Sequence, residues 1–179
     1  MNDIRRRGIS LAVLVGAMVL GTEIAEAQER ASPLDHARAE IAGQQIEIQY
    51  GRPSMRGRTV FGGIVPWGEV WRTGANEATH LRVPADMTIG GETVPAGEYT
   101  LWTVPSEDGW TLVVNSETGQ WGTAYNADHD LVRVPMMTET LDEAVEVFTI
   151  RVTEGDGSDG VIMMDWENTR ASVGFDIGG

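Results

Sequence analysis

The segment VEVFTIR, residues 145–151, has the alternation of a β-strand. Its two valines and Thr149 fall on one face of such a strand, and Phe148 and Ile150 fall on the other. Successive side chains of a strand point to opposite faces, so this period of two indicates a strand rather than a helix. The same alternation recurs in three further segments, residues 46–50, 81–83 and 99–103.

Turn signals separate these alternating segments, and they are Ala42-Gly43, Gly90-Gly91, Glu107-Asp108-Gly109 and the acidic, Gly-rich run 154–160. Turns recur about every 8 to 12 residues, which is typical of sandwiches and barrels. The helical candidate, residues 138–144, is short and equally compatible with a turn. We therefore expect an all-β protein, a single antiparallel β-sandwich of jelly-roll or immunoglobulin-like type with about eight to ten strands.

Composition and charge narrow the possible partners and chemistry. The chain has 179 residues, with 27 acidic and 13 basic side chains, all of the latter arginine, and a net charge of -14. So acidic a surface repels phosphate backbones and anionic headgroups, which argues against nucleic acid as a partner. There is no cysteine, which excludes thiol nucleophiles, thiolate metal sites and disulfides.

The first 27 residues have the features of a signal peptide. Arg5-Arg6-Arg7 precedes an apolar run at residues 9–20, and Ala25-Glu26-Ala27 matches the small-x-small pattern that signal peptidase cleaves. The apolar run is shorter than the roughly 20 residues of a spanning helix, so we expect no membrane insertion. We predict that this segment is cleaved and that residues 28–179 form one sandwich domain, periplasmic or secreted.

Residues 51–82 depart from the pattern of strands and turns because they are rich in Gly, Pro and Arg. The segment has two acids and a local charge of +3, and its five arginines are Arg52, Arg56, Arg58, Arg72 and Arg82. Arginine presents a planar fork of donors that suits carboxylate, phosphate or sulfate, so one interpretation is an anion site. The alternative is that these arginines pair with acids of neighbouring strands and fix the loop.

Several motifs of the chain match a family pattern. The longest is VWRTGANEAT at residues 70–79, preceded by GRPS at 51–54 and VPWG at 65–68, and followed by AGEYTL at 96–101 and WENT at 166–169. On these residues the chain resembles the exported bacterial proteins grouped as the domain of unknown function 2911, over essentially the whole mature chain. The resemblance implies an exported, β-rich domain, and it supplies no substrate, reaction or catalytic residue.

Residues 71–77, WRTGANE, place an aromatic face, a forked cation, a hydroxyl, an amide and a carboxylate close together. Recognition of a sugar uses this mixture of aromatic stacking and polar partners. We therefore predict that the long Arg/Gly/Pro-rich loop, residues 51–79, binds a small anionic or carbohydrate-like ligand. The candidate ligand-binding residues are Arg52, Arg56, Arg58, Trp71, Arg72, Asn76 and Glu77.

The six tryptophans divide into two groups by their neighbours in the sequence. Three lie in strand-like runs and are expected in the core, where large aromatic side chains are ordinary: Trp102, Trp110 and Trp166. The other three lie beside Gly or Pro and are the surface candidates: Trp67, Trp71 and Trp121.

Two alternatives to a binding module stay open, an envelope hydrolase that uses Glu77 as acid or base and a structural or assembly module with no ligand. The three histidines, His36, His80 and His129, are not at metal-ligand spacing, so no metal or other cofactor is predicted. There is also no nucleophile elbow, phosphate loop or dinucleotide fingerprint. A binding module is therefore favoured over an enzyme.

Overall fold

The structure, a computed structural model, describes residues 30–178, so the predicted signal peptide lies outside the described residues. Within this range the strands are β1 (Leu34–Ile41), β2 (Gln44–Gly51), β3 (Thr79–Val83), β4 (Met87–Ile89), β5 (Glu92–Val94), β6 (Gly97–Val104), β7 (Trp110–Asn115), β8 (Asp130–Glu154) and β9 (Asp159–Ile177). A 3-10 helix spans Ala127–His129. None of the helical residues described here forms a segment long and apolar enough to cross a membrane.

The nine strands form one sheet in the order β1-β2-β3-β6-β7-β8-β9-β4-β5, and every neighbouring pair is antiparallel. The predicted turns lie where strands are joined, with Ala42-Gly43 between β1 and β2 and Gly90-Gly91 between β4 and β5. All four of these residues have positive φ, the conformation that tight hairpin turns require. The prediction of an all-β, antiparallel protein is confirmed.

Strand β8 links two parts of the sheet. Residues of β8 up to Met136 pair with β7, and residues from Met137 onward pair with β9. The first part of the sheet is therefore β1-β2-β3-β6-β7 with the beginning of β8, and the second part is the rest of β8 with β9-β4-β5. The ladder with β9 is interrupted between Thr140 and Val145, where β8 has more residues than its partner. The prediction of a helix or turn at 138–144 is wrong, because these residues belong to β8 and lose only part of their pairing.

The larger of two apolar clusters contains side chains from both parts of the sheet. It contains Ile48 and Leu101 from the first part and Phe148, Ile162 and Phe175 from the second. Each fully buried side chain of this kind contributes about 1.5–3 kcal/mol to the free energy of folding. The core positions predicted for Trp110 and Trp166 are confirmed, whereas Trp102 is buried in a separate small cluster with Ala78 and Val113.

The start of the long loop pairs with β8 and brings the two parts of the sheet together. Phe148 N–H donates to the Pro53 carbonyl and Met55 N–H donates to the Glu146 carbonyl, each at 2.9 Å. Just before the loop, the Tyr50 hydroxyl accepts from the Ile150 N–H at 2.9 Å. We call these contacts the 53–148 ladder. It joins the end of β2 to the second part of β8.

A buried carboxylate joins β8 to β9. Asp165 is 2% exposed, and its oxygens accept from Arg170 Nε at 2.7 Å and from the Arg151 guanidinium. Burial raises the pKa of Asp165, but the hydrogen bonds and charges of Arg170 and Arg151 outweigh it, so the pKa lies below its usual value. The carboxylate is therefore ionised in the folded protein at neutral pH.

Replacing Asp165 with Asn should lower the free energy of unfolding by about 2 kcal/mol at pH 7, less than the loss of a fully buried pair because both arginines reach solvent. The folded pKa lies below the unfolded value of about 3.9, so the stabilisation is present above that pH and is lost as pH falls through the folded pKa. Urea denaturation of both proteins from pH 7 to pH 2 measures the difference. It should narrow below about pH 4.

The exposed Asp142→Asn variant is the matched control, because it makes the same chemical change at a residue with no ion pair among those found in residues 30–178. Its free energy of unfolding should stay within about 0.5 kcal/mol of the wild type. A difference for Asp165→Asn that is independent of pH would contradict the ion-pair explanation.

Candidate functional site

The long loop follows the surface of the sheet and is fixed to it at several points. Trp71 exchanges two backbone hydrogen bonds with Thr103 of β6, at 2.7 and 2.9 Å, and Gly68 N–H donates to the Pro105 carbonyl at 2.7 Å. Near its middle, Val65 N–H donates to the Val60 carbonyl at 2.9 Å and closes a tight turn. The loop is therefore part of the packed fold.

Arg52, directly after β2, contacts two other strands, β8 and β1. Its Nε donates to the Phe148 carbonyl at 3.2 Å and its Nη2 donates to Thr149 Oγ1 at 2.9 Å, both on β8. Its Nη1 lies 3.1 Å from the carboxylate of Asp35 on β1. Arg52 thus reinforces the 53–148 ladder, which is the structural alternative considered for the arginine cluster.

Arg56 and Arg58 donate to backbone carbonyls, Arg56 before β1 and Arg58 within the loop itself. Arg56 Nη2 donates to the Ala31 carbonyl at 3.0 Å. Arg58 donates through Nε to Met55 and through Nη2 to Ser54, each at 2.8 Å. Arg58 thus satisfies carbonyls of the irregular loop, and Arg56 ties the loop to the segment before β1.

Arg72 packs against the chain rather than into an opening. A Cβ added to Gly122 would lie 2.2 Å from Arg72 Cδ, so the arginine stem lies directly on the Gly122 backbone. Its buried Nε finds no acceptor in the described part of the chain. Together with the exposed Arg82, the five arginines line none of the main cavities of residues 30–178.

Trp71 is more buried than the surface position predicted for it. Its ring is stacked on Trp166 with centroids 5.7 Å apart and meets Phe148 edge-on at 5.0 Å. The other two surface candidates, Trp67 and Trp121, are exposed as predicted. Of the predicted ligand-binding residues, Trp71 therefore contributes its ring mainly to the core.

Asn76 and Glu77 lie at the end of the loop, against a second segment. The Asn76 carbonyl accepts from Gly122 N–H at 2.9 Å, and its side-chain Nδ2 donates to the Ser32 carbonyl at 3.3 Å. Glu77 forms an isolated bridge with Trp121. The Arg30 guanidinium donates to both Glu77 carboxylate oxygens, at 2.8 and 3.1 Å.

Two adjoining cavities meet at Glu77, and we call them together the Glu77 groove. The first, of about 140 Å³, extends toward Arg30 and Tyr50. The second, of about 220 Å³, extends toward His80, Thr100 and Gln120. Both are lined by Gln49, Glu77 and Ala78.

The register of the sheet explains the groove's polar base. Gln49 of β2 lies opposite His80 of β3, which lies opposite Thr100 of β6. Directly opposite residues share one face, so these three side chains form a row across three strands. Their neighbours Ile48, Leu81 and Leu101 point to the other face and are buried in the core.

A hydrogen-bond network fixes Gln120 on the wall of the groove. Gln120 Nε2 donates to Thr100 Oγ1 at 3.2 Å and to the Glu117 carbonyl at 3.1 Å. Thr100 Oγ1 also accepts from Trp102 Nε1 at 3.0 Å and donates to the Glu117 carbonyl at 2.9 Å. Gln120 Oε1 is buried and has no donor within residues 30–178, an arrangement that costs about 1–3 kcal/mol.

One carboxylate lines the groove and a second lies beside it. A hydrogen bond from its own backbone N–H, together with the Arg30 hydrogen bonds and charge, lowers the pKa of Glu77 despite partial burial. Glu77 is therefore a carboxylate at neutral pH. His80 Nε2 lies 3.8 Å from the Glu98 carboxylate, which adds a second negative group beside the groove.

The described residues contain no cluster of three or more His, Asp or Glu side chains able to hold a metal ion. The groove instead is lined by one carboxylate, one guanidinium, two amides, one imidazole and two hydroxyl groups. Such a set can donate and accept hydrogen bonds with a small polar molecule.

Sequence reasoning identified Glu77 and missed Gln49, Thr100 and Gln120. The first two are polar residues between apolar ones on alternating strands, which is a visible signal of an outward face. The register that brings them together is not visible in the sequence. Gln120 lies in an irregular segment with no pattern that marks it.

Comparison with known proteins supports the resemblance drawn from the motifs. The model of a family described as "Protein of unknown function (DUF2911)" matches residues 32–175, which is most of the chain. The chain matches no curated protein and no solved structure.

Replacing Gly51 with Ala should lower the free energy of unfolding by about 2 kcal/mol. An added Cβ would lie 2.2 Å from the Ala75 carbonyl oxygen, so the end of the loop must move away from β2. Urea denaturation of the mature chain measures the loss. Gly174→Ala is the control, because its nearest neighbouring atom is 4.0 Å away. Equal stability of Gly51→Ala and the wild type would contradict the close approach of the loop to β2.

Proposed function

We propose that this chain, which belongs to the DUF2911 family of proteins of unknown function, is a binding module for a small polyhydroxy, carbohydrate-like ligand in the Glu77 groove. The observation that carries the proposal is the buried Oε1 of Gln120, which has no donor in residues 30–178 and belongs to a side chain lining the groove. A hydroxyl group of a ligand would supply that donor once the Gln120 amide turns toward the groove and exposes the oxygen.

The other groove residues support a ligand with many hydroxyl groups. Glu77 accepts hydrogen bonds, whereas the Gln49 amide and the His80 imidazole can each donate and accept. A hydroxyl group also donates and accepts, so it can satisfy either kind of partner. This complementarity favours the carbohydrate-like ligand over the anionic one.

An anion is less well supported by the surroundings of the groove. The loop arginines donate to backbone atoms or pack against the chain, whereas Glu77 lines the groove and Glu98 lies beside it. Arg30 is the cation in contact with Glu77, and it neutralises that carboxylate. The net charge of -14 adds a further unfavourable field for an anion.

The hydrolase alternative receives little support at Glu77. A general acid needs a raised pKa so that it carries a proton at the working pH, and the pKa of Glu77 is lowered. A lowered pKa also makes the carboxylate a weaker general base, and Arg30 already donates to both of its oxygens. Binding without turnover is therefore the function that the groove supports better.

The finer architecture and the location belong to the same proposal. We propose that the sheet folds over on itself as a β-sandwich, because the 53–148 ladder and the shared core join its two parts. We also propose that the mature domain, residues 28–179, is exported to the periplasm or secreted, as the pattern of the first 27 residues predicts.

Binding should be detected by nitrogen-proton NMR titration of the mature chain with neutral monosaccharides, disaccharides and polyols. The side-chain amide signals of Gln49 and Gln120 should shift saturably with at least one compound. The Gln120→Met variant should bind that compound about tenfold more weakly, the effect of one lost hydrogen bond. Its free energy of unfolding should change little, because the variant also removes an unsatisfied buried oxygen.

Gln45→Met is the matched control, because Gln45 is exposed and lines neither cavity of the groove. Its affinity should equal that of the wild type. Unchanged affinity of a folded Gln120→Met variant, or no saturable shift with any compound, would overturn the proposal.

A further inference from the structure

We infer that the protein has a second binding site, a cleft beside Trp67 that takes a single pyranose ring by stacking it on the indole. The Trp67 cleft is a cavity of about 310 Å³ lined by Trp67, Trp110, Glu107, Glu139 and the hydroxyl residues Ser106, Thr138, Thr140 and Thr169. It shares no lining residue with the Glu77 groove. The inference therefore does not rest on the proposed function.

Trp67 is an ordered aromatic surface. Its ring lies 5.9 Å from the ring of Phe61 at an interplanar angle of 30°. A Cβ added to Gly62 would lie 2.5 Å from the indole Nε1, so the backbone there supports the ring edge directly. The backbone N–H of the following residue, Gly68, donates a hydrogen bond to the Pro105 carbonyl at 2.7 Å.

Trp67 as a residue nevertheless remains 38% exposed. A large aromatic side chain that is packed on one side and open on the other can stack a ligand ring without first losing much conformational freedom. The second tryptophan of the cleft, Trp110, is 4% exposed and packs 4.7 Å from Phe61. The aromatic part of the cleft is therefore continuous with the core.

The remaining lining residues are those that hold sugar hydroxyl groups. Thr140 of β8 lies directly opposite Thr169 of β9, so two hydroxyls come together at this edge of the cleft. Glu139 lies between Thr138 and Thr140 on β8, so its side chain points to the opposite face, where it accepts from Arg170 Nη1 at 3.0 Å. Ser106 Oγ accepts from Asp108 N–H at 3.3 Å and keeps its own proton for donation.

The Glu107 carboxylate indicates the charge class of the ligand. Glu107 disfavours an anion, and a partly exposed indole beside hydroxyl groups favours a neutral ring with apolar C–H faces and polar edges. A pyranose ring has this combination. The volume lies at the lower end of small-molecule sites, which favours one sugar ring over a longer chain.

The break in the β8 ladder accounts for the opening. Thr140 is the last residue paired with β9 before the interruption that ends at Val145. Interruptions of this kind bend a strand and are common beside binding sites. The cleft thus lies where the sheet itself departs from regular pairing.

The test is a titration of the mature chain with methyl glycosides of glucose, galactose, mannose and N-acetylglucosamine, followed by the indole N–H NMR signals and tryptophan fluorescence. At least one glycoside should shift the Trp67 signal saturably. Trp67→Ala should weaken that binding at least tenfold, whereas Trp67→Phe should retain part of it. Trp121→Ala, which removes an exposed indole outside the cleft, should leave it unchanged.

The variants also separate this site from the Glu77 groove. Gln120→Met should leave the Trp67-dependent shift intact, and Trp67→Ala should leave any Gln120-dependent shift intact. If Gln120→Met lost all glycoside binding and Trp67→Ala kept full binding, the second site would be overturned and the groove alone would be supported. Absence of a saturable Trp67 shift with all four glycosides, or full affinity in a folded Trp67→Ala variant, would also overturn it.

Discussion

The backbone hydrogen bonds of the 53–148 ladder determine how the rest of the molecule is arranged. Phe148 and Met55 donate across the gap between β2 and β8, and the side chain of Phe148 is buried in the core beside them. The two parts of the sheet are therefore hydrogen-bonded to each other along this seam. The long loop starts at this seam. The loop that carries Trp67 and Glu77 is therefore fixed to the sheet at its beginning.

The arginines of the loop follow from the same constraint. An irregular segment pressed against a sheet leaves backbone carbonyls without ladder partners, and each of these needs a donor. Arg58 supplies such donors to Met55 and Ser54, whereas Arg52 and Arg56 donate to carbonyls outside the loop, on β8 and before β1. These arginines therefore fix the loop to itself and to its surroundings, and the polar groups that line the Glu77 groove and the Trp67 cleft are mostly acceptors, amides and hydroxyls.

The strands could be predicted because alternation is local, and residues such as Ile48 and Leu101 lie in the core as expected. The strand at 138–144 could not, because its exposed acidic residues lose their alternation where the β9 ladder is interrupted. Glu77 was identifiable from its motif. The row formed by Gln49, His80 and Thr100 depends on the register of three strands, which no single segment encodes.

Native-state hydrogen exchange of the Met55 and Phe148 amides tests the central claim most directly, that the ladder is part of the cooperative fold. If the ladder joins the two parts of the sheet, these amides should open only with the free energy of the most protected amides of β6 and β7. Exchange of the Met55 and Phe148 amides at nearly intrinsic rates, while β6 and β7 stay protected, would contradict the account. The loop, the Glu77 groove and the Trp67 cleft would then lack a fixed support.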